Sequence, residues 1–557
     1  MSIKPALFQS AGQASEHLRP GVYSRINSVR NSLGFASATN GVIIGRGFGP
    51  EPFVLHEFTG TGEVLADIAG GDLREALRLS FDPSPQFQPQ RLFAMVVNAS
   101  TRATRTLNDV LVVTSRQYGA HTNRISIVVA AGTTEGRKIT LRYRGLDEVF
   151  DNVVRPLLTL TGTTGEVTIT NTASVGTLVS GAVTATLDEY ATIQDLADYL
   201  SAQDDLTAEV EPGAENRSPR ELDQVTSVAI TSGAVFGGLA TAIVDTLNGA
   251  SALVTAATVP AEGIQPPNNM TDPVFLTGAV NGDYTSAQWN TALEALEAED
   301  IQYVATPDSD PAVHAAIRTH CRTMSSVTNR KERQFVVGGG LTDSVSDATD
   351  GSKALNSFEG MLVHSGGGFE QRNALGIIQQ FPDSYAACMV MAMKTAMAIA
   401  APLTAKQLNV LRFVKKLRGS EITTLLRNGV CVLAYNDSNM PAIERQLNTY
   451  QTDDLKRNEF SMMSIQSFVS RDIRTYLHEL FIGNAQYRTA LGALEGAARN
   501  RLAGYVDLGL FTSDSQGRTF WNVKLRSEGD KIWLDYDANI TAPINFVFVT
   551  QHFSEAI

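Results

Sequence analysis

The sequence of 557 residues predicts a multidomain protein of mixed α/β and α+β class. The chain is too long for one ordinary core, so we expect two to four domains. Short apolar runs alternate with helical periodicity in residues 31–100 and again in 271–435, which indicates a mainly parallel sheet covered on both faces. Residues 101–270 instead contain β-branched runs separated by Gly, Thr, Ser and Asn, which indicates antiparallel β-structure. The simplest interpretation is one α/β core domain interrupted by a β-rich insertion of one or two subdomains.

The composition is that of a globular, acidic protein. Hydrophobic residues make up 43% and charged residues 18% of the chain, and the formal net charge is -13. A uniformly acidic surface repels phosphate, so nucleic acid is not expected as a partner. The three cysteines are widely spaced and odd in number, which favours buried thiols in a reducing compartment over a disulfide framework.

No membrane-inserting or targeting segment is predicted. The N-terminal residues lack the continuous apolar core of a signal peptide. The most apolar run, residues 386–401, contains Lys394 and is shorter than the roughly 20 apolar residues that span a bilayer. We therefore expect a soluble protein in which this run is a buried core helix.

In the first part of the α/β core, residues 31–100, we expect two buried strands at 41–45 and 92–97. Apolar residues from Val64 to Phe81 recur at helical spacing, and Gly70-Gly71 is expected to divide that helix in two. In the second part, residues 271–435, strands are predicted at 276–280, 301–305, 335–338 and 430–433. Helices are predicted around Trp289, Leu293 and Leu296, from Asp310-Pro311 onward, and from Ser420 as the capping residue to Gly429.

The closing domain, residues 436–550, is predicted to contain two helices and three strands. The first helix is expected to begin at Ser470, and the second to cover 488–505. The strands are expected at 519–525, 531–536 and 544–550. Because the last strand is apolar on both faces, it should be covered on both sides. Residues 1–30, with few hydrophobic anchors, and residues 551–557 are interpreted as extended terminal arms.

Patterns that could carry chemistry favour structural interpretations. Gly45-Arg46-Gly47-Phe48-Gly49 follows a strand like a dinucleotide-binding loop, but Pro50 and Pro52 block the helix that must follow, so a turn is expected. Gly338-Gly339-Gly340 lacks the lysine of a phosphate-binding loop. His314 and His320 lie six positions apart on one predicted helix and cannot share a metal. We therefore predict no catalytic, cofactor-binding or metal-binding residues, and no enzyme.

Four short motifs follow one another along the chain: Arg19-Pro20-Gly21-Val22-Tyr23, the run from Leu276 to Asp283, Leu426-Arg427-Asn428-Gly429-Val430 and Ala542-Pro543-Ile544-Asn545-Phe546. In this order they resemble the motifs of contractile-tail sheath proteins, which occur in myophages, tailocins and type VI secretion systems. The resemblance covers about residues 1–100 and 271–557, and it matches 101–270 only as a variable, outward-facing insertion. It implies a sheath-type α/β core with an inner closing domain.

The resemblance also implies a function. Sheath subunits form hexameric rings stacked in a helical sheath around a tail tube, with baseplate and tail terminator proteins as further partners. Contraction drives the tube through the host envelope and consumes no cofactor. The implied location is the virion tail, assembled in the bacterial cytoplasm. The rival interpretations are another virion protein, such as a capsid or adhesin component, and a dinucleotide-binding enzyme that rests on Gly45–Gly49 alone.

Site residues follow from the same resemblance. Family arms add strands to neighbouring subunits, and the helix at 488–505 is implied to face the tube. Ordering six arm residues costs about 6–12 kcal/mol and six ladder hydrogen bonds return about 3–9, so apolar burial must contribute. The implied arm contacts are Pro20, Gly21, Val22, Tyr23, Ile26, Phe546, Phe548, Phe553 and Ile557. The implied tube-facing residues are Arg488, Arg499 and Arg501.

Overall fold

The computed structural model describes residues 6–10, 13–17, 40–163, 165–483, 488–528 and 531–551. It shows a mixed α/β multidomain protein. The elements before residue 100 are β1 (Ala6–Ser10), β2 (Gln13–His17), β3 (Gly41–Gly45), β4 (Leu55–Phe58), α1 (Thr61–Asp67), α2 (Asp72–Ser80) and β5 (Leu92–Val96). As predicted, the helix between β4 and β5 is divided at Gly70-Gly71, because Gly71 takes a φ of 95° and its position has no room for a Cβ.

The middle of the chain is rich in short strands. Its elements are β6 (Thr104–Leu107), β7 (Leu111–Ser115), β8 (Ser126–Ala131), β9 (Arg137–Tyr143), β10 (Leu146–Val153), β11 (Pro156–Gly162), β12 (Glu166–Asn171), β13 (Gly176–Ser180), β14 (Val183–Thr186), α3 (Ile193–Ser201), β15 (Leu206–Val210), β16 (Val225–Ala229), β17 (Ala234–Gly237), α4 (Leu239–Ala250) and β18 (Val254–Thr258). All the strand pairs among them are antiparallel.

The next part alternates strands and helices. Its elements are β19 (Val274–Phe275), α5 (Ser286–Leu296), β20 (Tyr303–Ala305), α6 (Pro311–Met324), β21 (Gln334–Gly338), α7 (Val345–Leu355), β22 (Gly360–His364), β23 (Phe369–Arg372), β24 (Ile378–Phe381), α8 (Asp383–Thr395), β25 (Arg412–Phe413), α9 (Gly419–Arg427), β26 (Cys431–Tyr435) and β27 (Pro441–Arg445). The last elements are α10 (Leu455–Asn458), α11 (Phe460–Phe481), α12 (Arg488–Asp507), β28 (Phe520–Glu528) and β29 (Lys531–Ala538).

An eight-stranded sheet, in the order β27-β26-β22-β21-β20-β3-β5-β4, forms the centre of the fold. Its six inner strands are parallel, and the edge strands β27 and β4 are antiparallel to their neighbours. Helices α1, α2 and α8 cover one face, and α5, α6, α7 and α9 cover the other. The inner strands are therefore apolar on both sides, as parallel sheets require.

Helix α8 is the most deeply buried element of this core. All thirteen of its residues are buried, which confirms the predicted core helix, although the helix ends at Thr395. Lys394 is also buried, and its Nζ donates to the carbonyl oxygens of Ile399 at 2.8 Å and Ala401 at 2.9 Å. Burial lowers the pKa of Lys394 to about 7. Ile399 and Ala400 pack against the closing domain, so this lysine fixes the chain where the two domains meet.

The middle region contains two apolar clusters. One lies among β6–β10, α4, β18 and β19. The other lies among β11–β17 and α3. In the chain, the second unit (residues 156–237) sits between β10 and α4 of the first, so one unit is nested within the other.

Both predicted boundaries of the second core segment are too early. No strand forms at 276–280; instead β19 pairs with β8, and Leu276 and Ala279 are buried in the cluster of the middle region. Gly278, with a φ of 84°, turns the backbone out of the extended conformation at this point. At the other end β27 belongs to the central sheet, so the core continues past residue 435. At both boundaries, residues outside the predicted segment pack against elements that are distant in the chain, and the local sequence pattern does not show these contacts.

Three predictions about element ends are wrong. Helix α11 begins at Phe460, not Ser470, because its first turns are buried against the core and extend the apolar stripe. Ser420 is the second residue of α9 and not its cap. Residues 544–550 form no strand. The predicted helix start at Pro311, capped by the Asp310 side chain, is confirmed.

The closing domain packs α11, α12 and the β28–β29 hairpin around one apolar cluster, which includes Ile465, Leu502 and Tyr505. Among the helices that the structure describes, none is both long and apolar enough to span a membrane.

Candidate interaction surfaces

Residues 541–551 follow β29 without forming a helix or strand. Thr541 fixes the start of this segment, because its N–H donates to the Leu510 carbonyl oxygen at 2.9 Å and its hydroxyl to that of Gly509 at 2.8 Å. Among the described residues, no backbone-to-backbone hydrogen bond involves 542–551. The segment thus has the unpaired donors and acceptors of a strand without a sheet.

The apolar side chains of residues 544–549, which we call the apolar strip, are exposed. The exposed fractions are 84% for Ile544, 67% for Phe546, 77% for Val547, 92% for Phe548 and 73% for Val549. The rings of Phe546 and Phe548 stack on one another with centroids 6.4 Å apart. The expectation that this segment is covered on both sides is wrong for the described part of the chain, whose residues leave these side chains exposed. A contiguous exposed apolar patch of this kind marks an interaction site.

One polar residue of the strip is held in place. The Asn545 amide donates to Glu459 Oε1 at 2.9 Å, and Arg445 forms an ion pair with the same carboxylate at 2.8 Å. The Arg445 guanidinium also lies over the Phe546 ring, 5.5 Å from its centroid. Sequence reasoning missed Glu459 and Arg445, because nothing local distinguishes them from other charged residues.

An apolar groove runs beside α11 in the closing domain. Its lining comes from α11, from the segment between α12 and β28 and from the chain around the end of β29. The apolar lining residues are Ile465, Val469, Ile473, Phe511, Tyr536, Ala538 and Ile540. Burial raises the pKa of Tyr536. Among the described residues, β28 and β29 pair only with one another, so both outer edges of this hairpin are open to a further strand.

The structure separates the three arginines that were predicted to face a tube. Arg501 is only 8% exposed, and its guanidinium donates two 2.6 Å hydrogen bonds to Asp472. It cannot face a partner, and this prediction is wrong. Arg499 is about half exposed and pairs with Glu495 at 2.8 Å. Two residues apart on a helix means about 200° of rotation, so 499 and 501 lie on nearly opposite faces. Arg488 begins α12, and its side chain is not described.

The N-terminal arm is described only at β1 and β2, which pair antiparallel with Ala6 opposite His17. The other predicted arm contacts lie outside the described residues: Pro20, Gly21, Val22, Tyr23, Ile26, Phe553 and Ile557.

The glycine-rich segment Gly45–Gly49 and the histidines of α6, which were considered as possible sites of chemistry, make structural contacts within the chain. Phe48 bridges to Gly70 and Gly49 to Tyr118, so the residues after β3 form isolated β-bridges where a turn was expected, and the next helix begins only at Thr61. Within the described part of the chain, no three His, Cys, Asp or Glu residues are grouped so as to hold a metal. Burial and the neighbouring Arg333 lower the pKa of His320 to about 3, so this imidazole is neutral.

The three cysteines, Cys321, Cys388 and Cys431, are buried and free. Burial raises the pKa of each thiol, to about 12 for Cys321 and Cys431. They are packing residues, as expected from their spacing, and not nucleophiles.

Comparison with known proteins gives a consistent result. The family model described as phage tail sheath protein central domain matches residues 282–449. The tail sheath protein of Bacillus phage SP01 is 24% identical, with 96% of this chain and 95% of that protein aligned. The tail sheath protein of Staphylococcus phage Twort is 21% identical over 83% of this chain and 84% of its own length.

The fold is shared as well. The crystal structure of a sheath tail protein from Desulfitobacterium hafniense matches with a TM-score of 0.57 at 14% identity, covering 93% of this chain and 96% of that one. The resemblance to contractile-tail sheath proteins that the sequence motifs indicated is confirmed.

The contrast between the two arginines predicts different effects on stability. Arg501→Glu should lower the free energy of unfolding by about 3–5 kcal/mol, because it places a second buried carboxylate against Asp472. Arg499→Glu should change it by less than about 1 kcal/mol, because exposed ion pairs contribute little. Denaturant unfolding followed by circular dichroism measures both values. Equal effects would show that Arg501 is not the internal residue described here.

Proposed function

We propose that this chain is the structural subunit of a contractile tail sheath, in which copies polymerise around a tail tube and contract to drive the tube through the host envelope. The observation that carries the proposal is the apolar strip, an unpaired and exposed strand-like segment, on a chain whose relatives are tail sheath proteins. The corresponding location is the virion tail, assembled in the bacterial cytoplasm. Hexameric rings, a baseplate and a tail terminator are the further assembly partners.

The strip is proposed to add a strand to the closing domain of a second copy. A two-stranded hairpin is only marginally stable alone, and a third strand stabilises it. The β28–β29 hairpin has open edges, and the groove beside α11 offers an apolar surface for the side chains of an added strand. Main-chain hydrogen bonds then provide affinity, and alternate side chains provide specificity.

The N-terminal arm is proposed to work in the same way. Pro20, Gly21, Val22, Tyr23 and Ile26 would contact a neighbouring subunit, as would Phe553 and Ile557 at the other end. With a linkage at each end of the chain, every subunit is joined to neighbours while its folded domains change their packing.

Contraction in this proposal is a change of packing that requires no chemistry. The proposal is supported by the relatives, which are tail sheath proteins, and by the described residues, in which no three His, Cys, Asp or Glu side chains are grouped so as to hold a metal. An equilibrium moves from 1:99 to 99:1 with a difference of about 5.5 kcal/mol, so a few kcal/mol per subunit makes the change in a long polymer irreversible.

The tube is proposed to contact α12 through Arg499 and Arg488. Arg501 is excluded by its burial. The capsid and adhesin alternatives gain no support from the relatives, and the Gly45–Gly49 segment lacks the directly following helix of a dinucleotide-binding loop, since the next helix begins at Thr61.

Removing the aromatic side chains of the strip should prevent assembly. Burial of two phenylalanines stabilises an interface by about 3–6 kcal/mol, so the variant Phe546→Ser with Phe548→Ser should need an about 10²–10⁴-fold higher concentration to polymerise. Sedimentation and negative-stain electron microscopy of the full chain measure this threshold.

The matched control is Val327→Ser, which removes an apolar side chain that is 90% exposed but lies outside the strip. It should polymerise like the parent chain. If the double variant forms tubes at the parent concentration, the strip does not link subunits.

Deletion of residues 1–27 should leave folded, unassembled subunits, because each copy loses one of its two linkages. Size-exclusion chromatography with light scattering gives the mass of the product, and the thermal unfolding midpoint should stay that of the full chain. Long sheaths formed by the shortened chain would contradict the role of the N-terminal arm.

Charge reversal on the exposed face of α12 should weaken attachment to the tube. Arg499→Glu should reduce co-sedimentation with the purified tail tube at least several-fold, and more at low salt than at high salt, because screening weakens exposed charges. Lys353→Glu, also exposed but on α7 of the core, is the control. Unchanged binding by the Arg499 variant would remove α12 from the tube interface.

A further inference from the structure

We propose that Glu459 is a positioning residue for the apolar strip: through Asn545 it fixes where the strip leaves the subunit and keeps it available to a second copy. The position of the strip concerns the single chain. Its consequence for assembly rests on the proposed function.

The geometry places Glu459 at a junction of three parts of the chain. Its side chain is fully buried between α10 and α11, and its backbone bridges to Leu447. Oε1 accepts from Arg445 Nε at 2.8 Å and from the Asn545 amide at 2.9 Å. Arg445 ends β27, an edge strand of the central sheet, whereas Glu459 immediately precedes α11. One carboxylate oxygen therefore connects the core, the closing domain and the C-terminal segment.

The charges at the junction hold the acceptor atom, Glu459 Oε1, in one position. A buried carboxylate is stable only when it is paired, and Arg445 provides the pairing charge. Hydrogen bonds to an ionised acceptor are stronger than neutral ones, so Asn545 gains a strong attachment. The Arg445 guanidinium over the Phe546 ring adds a second contact on the next residue. The segment is thus held at Thr541 and again at 545–546, and the rest of the strip projects beyond the anchor.

Without this anchor the strip could reach the groove of its own subunit. Ile540 lines the groove, and residues 546–549 follow only a few positions later. An extended chain covers about 3.3–3.6 Å per residue, so the six steps from residue 540 to residue 546 span at most about 22 Å. Fixing Asn545 at the start of α11 restricts this fold-back. Because the acceptor belongs to the core–closing domain junction, any rotation between those domains also moves the point at which the strip departs.

The position of the strip is measured by distances between two spin labels on the full chain, at Val549→Cys and Ser438→Cys. Val549 is 73% exposed, and Ser438 lies in the exposed turn between β26 and β27. The three native cysteines are buried, so the labels attach selectively. Measurement below the concentration at which particles sediment, with excess unlabelled chain, reports distances within one subunit. The parent chain should give a single narrow distribution.

Asn545→Ala removes the donor and should at least double the width of the distribution or shift its mean towards the groove. Asn545→Asp places a second carboxylate against Glu459 and should have at least the same effect. Asn539→Ala, which removes an amide bound to the Arg518 carbonyl instead, is the control and should match the parent. The unfolding midpoints should be unchanged. Distributions identical to the parent in both Asn545 variants would overturn the positioning role.

The same variants separate this inference from the proposed function. A widened or shifted distribution with a raised assembly threshold supports both. A widened or shifted distribution with normal assembly supports the positioning role and contradicts its consequence for assembly. The variant Phe546→Ser with Phe548→Ser then decides separately whether the strip links subunits.

Discussion

Burial of the central parallel sheet on both faces is the constraint on which the rest of the fold depends. Val42, Ile43 and Ile44 have no exposed surface, so the sheet exists only when two layers of helices cover it. The middle region leaves and rejoins the core at one place, where Ala99 bonds to Asp283 and Thr101 to Val280. The two chain segments that connect the core to the middle region are therefore hydrogen-bonded to one another. The strands of the central sheet can pair in the same way whatever the length of the middle region.

Sequence patterns predicted the elements whose stability is local or periodic. The strand at 41–45, the divided helix before β5 and the Pro311 start each follow from a pattern a few residues long. Errors arose where a distant contact decided the outcome. The start of α11 depends on burial against the core, and the burial of Arg501 depends on Asp472 of another helix. Of the candidate site, the apolar run at 544–549 is visible in the sequence, and its role as a contact between subunits stays a prediction. The Glu459 junction could not be predicted, because it joins positions far apart in the chain.

The closing domain contains a pair of helices joined by buried charges and a C-terminal segment, residues 542–551, whose described backbone groups form no hydrogen bonds with other backbone groups. Buried charges hold α12 to α11, with the Tyr505 hydroxyl donating to the same Asp472 carboxylate at 2.6 Å. The strip that follows the hairpin is held only at its start, by Glu459 and Arg445, and the side chains of Val547, Phe548 and Val549 are at least 73% exposed in the described structure. In the proposed sheath, the linkage between subunits would use side chains and backbone groups that the interior of the subunit does not need. The folded domains could then keep their structure while their packing against neighbours changes.

The nested unit of residues 156–237 has its two ends one hydrogen bond apart, with the Gly238 N–H donating to the Arg155 carbonyl oxygen at 2.9 Å. Because the two ends of this subdomain lie side by side, it occupies the same place in the surrounding unit as a loop that connects two neighbouring elements. The entropy of closing such a connection grows only with the logarithm of its length. This unit can therefore be shortened, enlarged or exchanged at little entropic cost to the unit that surrounds it, because its ends already lie side by side.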